Sequence, residues 1–298
     1  MARVHANGIM VEYMLSGPPD GPVLLMIHGV GAQLVRWPAA LLQQFAAAGF
    51  RTLCFDNRDV GLSSHMDDKG LPDLAAILTA RSAGEEPPLP YTLSDMAADA
   101  AGLLSALGIA SAHVLGVSLG GMVAQIMAIE HGARVRSLNL FMTQSGNPEL
   151  PPSHPDATAI LARRAPDPAQ DREAFLDHSV ALNRTLGSPR YPMPEADLRA
   201  LAALSADRAY NPTGTARQFA VGRGSAGRTY RLRQLSVPTL VVHGSDDPLI
   251  PAACGRDLAA SIAGSWLLEL GGMGHDLPEE LFDVIVATVC CNAARARP

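Results

Sequence analysis

Short, continuous runs of apolar residues recur along the chain, each followed by a glycine-rich or polar turn. Such a run is typical of a strand that is buried on both faces of a parallel sheet, whereas a half-buried strand alternates apolar and polar residues. The pattern therefore predicts a mostly parallel sheet in the interior of the protein. The predicted strands are Val23–Ile27, Arg51–Phe55, His113–Val117, Val135–Met142, Thr239–His243 and Trp266–Leu270.

Segments with helical spacing lie between these strands. Several start at a proline or a capping residue, and Thr92 with Asp95 gives a start that resembles a capping box. Strands that alternate with helices in this way indicate an α/β fold with right-handed crossovers. The predicted helices are Pro38–Ala48, Asp73–Arg81, 92–108, a segment that ends near His131, Ala252–Ile262 and Pro278–Ala294.

The N-terminus has a different pattern, because apolar and polar residues alternate there. The segments Arg3–Ala6 and Ile9–Leu15 flank the dipeptide Asn7-Gly8. This dipeptide favours a type I′ turn, which needs positive φ at both central residues. We therefore predict an N-terminal antiparallel hairpin beside the parallel strands.

The alternation of strands and helices stops at residues 144–228. Prolines are frequent there, and short amphipathic stretches such as Asp171–Leu186 and Glu195–Leu204 replace the apolar runs. We predict that residues 144–228 form a helical insertion that caps the protein. The core domain would then consist of residues 1–143 and 229–298.

Composition narrows the classes of function. The net charge is −6 over 298 residues, with no basic cluster, so nucleic acid and anionic membranes are not expected partners. No apolar run is long enough to span a membrane, and the N-terminus lacks a signal-peptide core, so we expect a cytoplasmic protein. The four cysteines and nine histidines show no metal-binding spacing, and we expect no metal site.

One motif carries chemistry. Gly116-Val117-Ser118-Leu119-Gly120 lies between an apolar strand and an Ala- and Met-rich helix. A nucleophilic serine on a tight strand-to-helix turn needs small residues two positions before and after it, because the chain folds back on itself there. The first N–H groups of the helix then point to the place where negative charge develops in acyl transfer. Ser118 is therefore the candidate nucleophile.

A serine hydroxyl needs a base, and the base needs a carboxylate that orients it. Two later strand ends offer these groups: one in the segment His243–Pro248, the other in the segment Gly271–Asp276. Loops at the carboxyl ends of parallel strands share one crevice. His275, on a glycine-rich loop, is the candidate base, and Asp246, Asp247 and Asp276 are the candidate carboxylates.

The order Ser…Asp…His is the order of the α/β-hydrolase fold, and the chain resembles this family over nearly its whole length. Among the subgroups it is most similar to small bacterial carboxylesterases, including the anthracycline methylesterases, and to serine-dependent acyl-homoserine lactonases. The residues that carry the resemblance are His28-Gly29, Asp56-Asn57-Arg58-Asp59-x-Gly61-x-Ser63, Gly116-x-Ser118-x-Gly120-Gly121, Gly244-x-x-Asp247-x-x-x-Pro251 and Gly274-His275.

The resemblance implies an α/β-hydrolase fold with a catalytic triad. Ser118 would be the nucleophile and His275 the general base, then acid. Asp247 would be the orienting carboxylate, because it alone fits the family's Gly-x-x-Asp-x-x-x-Pro phase. The backbone N–H groups of Val30 and Leu119 would form the oxyanion hole.

The residues of the substrate pocket have no sequence motif comparable to those of the triad. Trp37, Met122 and Phe141 are predicted to line an acyl pocket. Arg58 and Asp59 suggest a substrate-binding ion pair, but this turn is structural in the family, and we expect it to be structural here.

The predicted function is hydrolysis of small-molecule carboxylic esters through an acyl-enzyme, without a cofactor. The enzymatic alternative is a lactonase that opens acyl-homoserine lactones with the same triad. The alternative from another class is a non-catalytic ligand-binding protein on this fold. The segment Gly222–Gly227 matches a dinucleotide-binding motif, but no strand clearly precedes it, so we interpret it as a flexible return to the core. The sequence leaves the oligomeric state open, a homodimer included.

Overall fold

The computed structural model describes residues 1–296. An eight-stranded sheet forms its centre, with the strand order β1-β2-β4-β3-β5-β6-β7-β8. The strands are β1 (Ala2–Ala6), β2 (Ile9–Ser16), β3 (Val23–Ile27), β4 (Arg51–Phe55), β5 (Ala112–Val117), β6 (Val135–Phe141), β7 (Thr239–Gly244) and β8 (Trp266–Leu270).

The N-terminal hairpin is confirmed. Strands β1 and β2 pair antiparallel, with Ala6 opposite Ile9, and Asn7 and Gly8 have φ of 48° and 79°. These positive values are the ones that a type I′ turn requires. Strand β2 pairs antiparallel with β4, and all neighbours from β4 to β8 are parallel. The predicted mostly parallel sheet is therefore confirmed as well.

Helices cover both faces of the sheet, and no helix within the described chain is long and apolar enough to cross a membrane. The helices are α1 (Ala39–Ala47), α2 (Leu74–Ser82), α3 (Leu93–Ala106), α4 (Leu119–Glu130), α5 (Pro155–Ala162), α6 (Arg172–Leu186), α7 (Glu195–Arg208), α8 (Pro212–Gly224), α9 (Thr229–Leu232), α10 (Ala252–Ser261) and α11 (Phe282–Ala294).

The continuous apolar runs supply two cores. Successive side chains of a strand point to opposite faces of the sheet. In β3, Leu24 and Met26 pack with α1 and α11 on one face, while Leu25 and Ile27 pack with α3 and α4 on the other. A strand between two helical layers needs apolar residues at every position, which explains why the runs do not alternate.

The helical insertion differs in detail from the prediction. Helices α6 and α7 lie on the two amphipathic stretches, whereas α5 and α8 were not predicted. Helix α8 includes Gly222 and Gly224, where a flexible return was expected. Asn211 caps α8 by accepting the N–H of Gly214 at 3.0 Å, and Pro212 lies in the first turn. Gly224 packs tightly against α2, so its small size serves helix packing.

The strand order places a crevice above β3. Strand β4 pairs with one edge of β3 and β5 with the other, so the chain leaves β3 in one direction and later returns on the opposite side. Such a switch point opens a crevice at the carboxyl ends of the strands. The loops that follow β3, β4 and β5 therefore start at the same edge of the sheet.

Candidate active site

Ser118 lies at the turn between β5 and α4, in a backbone conformation that side chains rarely adopt. Its φ is +56° and its ψ is −119°. A Cβ atom at Gly116 would lie 2.3 Å from the carbonyl oxygen of Gly120, and a Cβ at Gly120 would lie 2.1 Å from that of Ile27. Only glycine fits at these two positions, because the turn is too tight for any side chain. The motif thus holds Ser118 in a strained turn at the crevice.

Hydrogen bonds from β6 fix this turn. The backbone N–H of Ser118 donates to the carbonyl oxygen of Phe141 at 3.0 Å. The hydroxyl of Thr143 donates to the carbonyl oxygen of Ser118 at 2.7 Å. The turn is therefore tied at both its N–H and its C=O to the neighbouring strand and the loop that follows it.

The loop after β8 carries His275 to the serine. Nε2 of His275 lies 3.1 Å from Oγ of Ser118, which is hydrogen-bond distance. The backbone N–H of His275 donates to the carbonyl oxygen of Leu186 at 2.7 Å. The C-terminal end of α6, in the helical insertion, thus anchors the histidine loop.

Asp247 holds the other nitrogen of the imidazole. Its Oδ2 lies 2.7 Å from Nδ1 of His275, and its Oδ1 accepts the N–H groups of Leu249 at 2.9 Å and Ile250 at 2.8 Å. A carboxylate at Nδ1 keeps the proton on that nitrogen. Nε2 is then free to accept a proton from Ser118.

The two other candidate carboxylates are bonded elsewhere. Asp276 accepts a hydrogen bond from the hydroxyl of Ser188, and burial raises the pKa of Asp276. Asp246 is exposed and accepts the N–H of Gly272 at 3.0 Å. The structure therefore brings together Ser118, His275 and Asp247.

The loop after β3 lies directly beside Ser118. A Cβ atom at Gly29 would be 3.6 Å from Oγ of Ser118. The N–H of Gly31 donates to Oε1 of Gln218 at 2.8 Å, which ties this loop to α8. Within residues 1–296, no protein group accepts the N–H of Val30 or that of Leu119. Both N–H groups are free to bind a ligand oxygen, as an oxyanion hole requires.

A cavity of about 460 Å³ adjoins the histidine. This volume is within the usual range of small-molecule sites. The wall is mixed, because both the core and the insertion contribute polar and apolar side chains. Lining residues from the core include His28, Arg36, Pro38, Val117, Met142 and His275, and those from the insertion include Asn183, Ser188, Pro192, Met193, Leu198 and Leu201.

Electrostatics at the cavity keep His28 neutral. Burial, together with smaller effects of Arg36 and His275, lowers the pKa of His28 to about 3. Nδ1 of His28 accepts the N–H of Gly29 at 2.8 Å. His28 therefore adds a hydrogen-bonding group to the wall without adding charge at neutral pH.

The three residues predicted to line an acyl pocket are buried in the structure. Trp37, Met122 and Phe141 do not line this cavity; they are 3%, 6% and 0% exposed and pack in the two apolar cores. Their neighbours in these cores come from the sheet and the helices on either side of it. The ring of Trp37 packs against His28, with 4.5 Å between ring centroids.

The pocket residues that the sequence did not reveal come mainly from the insertion. Met193 and Leu198 line the cavity from segments that carry no local signal of a site. Arg36 follows the His28-Gly29 motif by only a few residues, and this position is the one signal that the sequence offers for it. No sequence pattern distinguishes it from a surface arginine.

Arg58 and Asp59 do not pair with each other. Nε of Arg58 donates to Asp99 at 2.6 Å, and Nε of Arg217 donates to Asp59 at 2.8 Å. Both carboxylates are buried in these pairs. The structure thus agrees with the expectation that this turn is structural. Among the residues that the structure describes, no three His, Cys, Asp or Glu side chains are grouped to hold a metal ion.

Comparison with known proteins identifies the family of this chain and two relatives of similar length. A family model described as alpha/beta hydrolase fold matches residues 22–280. Rhodomycin D methylesterase DauP from Streptomyces sp. (strain C5) is 26% identical to this chain, with 95% of this chain and 94% of DauP covered. Rhodomycin D methylesterase DnrP from Streptomyces peucetius is 25% identical, with the same coverage.

A solved structure shows the same fold. The enol-lactonase from Burkholderia xenovorans LB400 superposes with a TM-score of 0.71 and is 24% identical in sequence. The superposition covers 99% of this chain and 100% of the enol-lactonase. The likeness thus extends over the core and the helical insertion alike.

Proposed function

Because the chain belongs to the alpha/beta hydrolase fold family, we propose that it is a serine hydrolase that cleaves carboxylic esters through an acyl-enzyme. The observation that carries the proposal is the contact of Ser118 with His275 at 3.1 Å and of His275 with Asp247 at 2.7 Å. This is the arrangement that turns a serine hydroxyl into a nucleophile.

The first half of the reaction acylates the serine. Oγ of Ser118 attacks the ester carbonyl carbon while Nε2 of His275 takes the hydroxyl proton. Asp247 keeps the imidazole oriented and stabilises its positive charge. The carbonyl oxygen becomes negative and accepts the N–H groups of Val30 and Leu119. The tetrahedral intermediate then collapses, and the departing alcohol takes the proton from His275.

The second half releases the acid. Water gives a proton to His275 and attacks the acyl carbon, and the second tetrahedral intermediate expels Oγ of Ser118, which regains the proton. The product is a carboxylic acid, and the enzyme returns to its starting state. Apart from the ester and one water molecule, these steps use only groups that the chain itself supplies.

Ester substrates are favoured by the relatives. DauP and DnrP are methylesterases by name and align with this chain over nearly its whole length. A lactone is a cyclic ester, so the same groups could open it, and the substrate test below includes one. We further infer that the helical insertion is the cap that shapes the pocket, since it lines one side of the cavity.

Replacing Ser118 by alanine tests the proposal. We expect Ser118→Ala to lower kcat/KM for 4-nitrophenyl butyrate by at least about 10³-fold, because only the oxyanion hole and binding remain. Ser82→Ala is the matched control, because Ser82 is exposed on α2. Thermal melting establishes that both variants fold. Near-normal turnover by folded Ser118→Ala would refute the mechanism.

A second assay separates the two substrate classes. The wild-type protein is given a long-chain acyl-homoserine lactone and 4-nitrophenyl butyrate under the same conditions. A larger kcat/KM for the acyclic ester supports the esterase, whereas a larger value for the lactone would assign the protein to the lactonases with the same triad.

A further inference from the structure

Arg36 is a charged residue at the cavity that the reaction above does not use. It ends the short 3-10 turn Leu34–Arg36, which follows the loop of Gly29 and Val30. Its side chain lines the cavity together with His28 and His275. Arg36 is therefore close to the reacting groups without contacting them through a hydrogen bond.

The guanidinium of Arg36 has almost no partner. Within the described chain its single hydrogen bond runs from Nη2 to Oδ1 of Asn183 at 3.4 Å, which is long for such a bond. It forms no salt bridge with any carboxylate of residues 1–296. A guanidinium has five N–H donors, so most of its donors are unused.

Four arginines of the described chain with little exposed surface each have close hydrogen-bond partners, although Nη2 of Arg208 has none. Arg58, Arg208 and Arg217 each pair with an aspartate at 2.6–2.8 Å. Arg228 has no carboxylate, but it donates to the side chain of Gln125 at 2.9 Å and to two backbone carbonyls. Arg36 differs from all four because it is half-buried at the cavity and its guanidinium has only one, long hydrogen bond to the protein.

An unpaired charge in such a place is costly. Arg36 is half-buried, and partial loss of hydration of the charged form lowers its pKa. An arginine nevertheless stays protonated, and so the wall of the cavity keeps a positive charge that no protein group neutralises. The carboxylates nearby are engaged elsewhere: Glu195 pairs with Arg184 at 2.6 Å, and Asp276 accepts from Ser188. An anionic ligand would remove this cost.

We propose that the substrate of this cavity is an ester with a free carboxylate in its acyl or alcohol part, and that Arg36 binds this carboxylate. The planar guanidinium fork matches the two oxygens of a carboxylate. The aliphatic wall, with Val117, Met142 and Leu198, would hold the hydrocarbon between the carboxylate and the ester. The inference rests on the proposed function, because the same substrate must present its ester to Ser118.

Two pairs of synthetic esters test the inference. In the first pair the charge is in the acyl part: the 4-nitrophenyl half-ester of adipic acid is compared with its terminal carboxamide. In the second pair the charge is in the alcohol part: the butyrate ester of 4-hydroxybenzoate is compared with the butyrate ester of 4-hydroxybenzamide. Each carboxamide matches its carboxylate in size and lacks the charge. The quantity measured is the ratio of kcat/KM between the two members of a pair.

We expect the wild-type protein to prefer the carboxylate in one of the pairs by at least about tenfold, as for a charge-assisted hydrogen bond. Arg36→Met should bring that ratio close to one. Arg36→Lys should keep part of it, since lysine supplies charge without the fork. Arg51→Met is the matched control: it removes the same charge at the start of β4, at the opposite edge of the sheet, and should keep the wild-type ratio.

A ratio near one in both pairs for the wild-type protein would overturn the inference. So would a ratio in Arg36→Met equal to that of the wild type. If neutral esters are cleaved and Ser118→Ala abolishes this, the proposed function stands even when the preference for carboxylates is absent.

Binding without turnover gives an independent readout. Ser118→Ala is titrated by calorimetry with both members of each of the two ester pairs. We expect the charged ester to bind at least about tenfold more tightly than its carboxamide in one of the pairs, and Arg36→Met in the same background to remove the difference. Equal affinities within both pairs would overturn the inference whether or not Ser118 is the nucleophile.

Discussion

The sheet core and the helical insertion are held in place by different forces. In the core, residues such as Leu24, Leu53 and Val114 are 0% exposed and pack between apolar neighbours. Polar contacts attach the insertion to the core: Arg217 pairs with Asp59 at 2.7 Å, both fully buried, and Gln218 donates to the carbonyl oxygen of Arg58 at 2.8 Å. The core is thus specified by shape and apolar contact, and the position of the insertion by charge.

This difference separates the chemistry from the choice of substrate. The loop after β4 connects the two regions: its Asp56 pairs with Arg208 of α7 and also accepts the N–H of Leu34 at 2.7 Å. Asn57 in the same loop donates to the carbonyl oxygen of His28 at 3.1 Å. The β4 loop therefore contacts both regions: Asp56 pairs with the insertion, and its neighbour Asn57 is bonded to the loop that carries the proposed oxyanion hole.

The largest effect on activity is expected from a substitution in the proposed catalytic triad that leaves the packing of the sheet core and of the insertion unchanged. Asp247→Asn keeps an oxygen for the two backbone N–H groups but places an amide beside Nδ1 of His275. The imidazole then takes the wrong tautomer, and we expect kcat to fall on the order of 10³–10⁴-fold. Steady-state kinetics on 4-nitrophenyl butyrate measure this. Asp246→Asn is the control: it lies next in sequence, is exposed, and should change kcat by less than about threefold.

The second effect breaks the attachment of the insertion. Arg217→Met leaves the carboxylate of Asp59 buried without its partner, so we expect a loss of about 3–5 kcal/mol in the free energy of unfolding. Urea denaturation followed by circular dichroism measures it. A loss below about 1 kcal/mol would contradict the view that buried charge holds the insertion in place.

The third effect concerns a polar group inside the core. His113 on β5 is 3% exposed and bonds to Oγ of Ser137 at 2.8 Å, and burial, with a smaller effect of the charge of Arg136, lowers its pKa to about 4. The unfolded chain takes up this proton near pH 6.5 and the folded chain does not, so stability falls as pH decreases below about 6.5.

We expect His113 alone to contribute a loss of about 1 kcal/mol between about pH 7.5 and pH 5.5. His113→Gln should therefore flatten the dependence of unfolding free energy on pH, and His5→Gln, at an exposed histidine, should leave it as in the wild type. An unchanged slope in His113→Gln would show that this group is not buried in its neutral form.

The smallest effect sharpens the contrast between buried and exposed ion pairs. Arg172 of α6 forms a two-pronged salt bridge with Asp207 of α7 on the surface of the insertion. Solvent screens such a pair, so Arg172→Met should leave the melting temperature unchanged within error. If Arg172→Met lowered the melting temperature as much as Arg217→Met does in the same assay, burial would not be what gives the ion pairs their strength.

Local patterns predicted the parts of the molecule that depend on local physics. The apolar runs marked the strands, and Gly116 and Gly120 marked the turn of Ser118, because backbone crowding depends on residues close in sequence. The choice of Asp247 over Asp246 and Asp276 followed from the resemblance to a family rather than from periodicity, since all three lie at strand ends.

Helix α8 could not be predicted in the same way. Helix α8 contains glycines and a charged residue, Arg217, that is fully buried, so its pattern is that of a loop or an exposed helix. Its partner Asp59 lies far away in sequence, and no periodicity connects the two. Trp37, Met122 and Phe141 are buried in the two apolar cores, and the packing that buries them depends on residues far apart in sequence.

Reaction with a fluorophosphonate tests the central claim most directly, because this probe is attacked only by an activated serine. The intact mass of the protein is measured after labelling, and the labelled peptide is sequenced by mass spectrometry. We expect one adduct per chain, located on Ser118, absent from Ser118→Ala and much slower to form in His275→Gln. A folded protein that takes no label, or takes it on another serine, would contradict the account, and the first result would favour a non-catalytic ligand-binding protein.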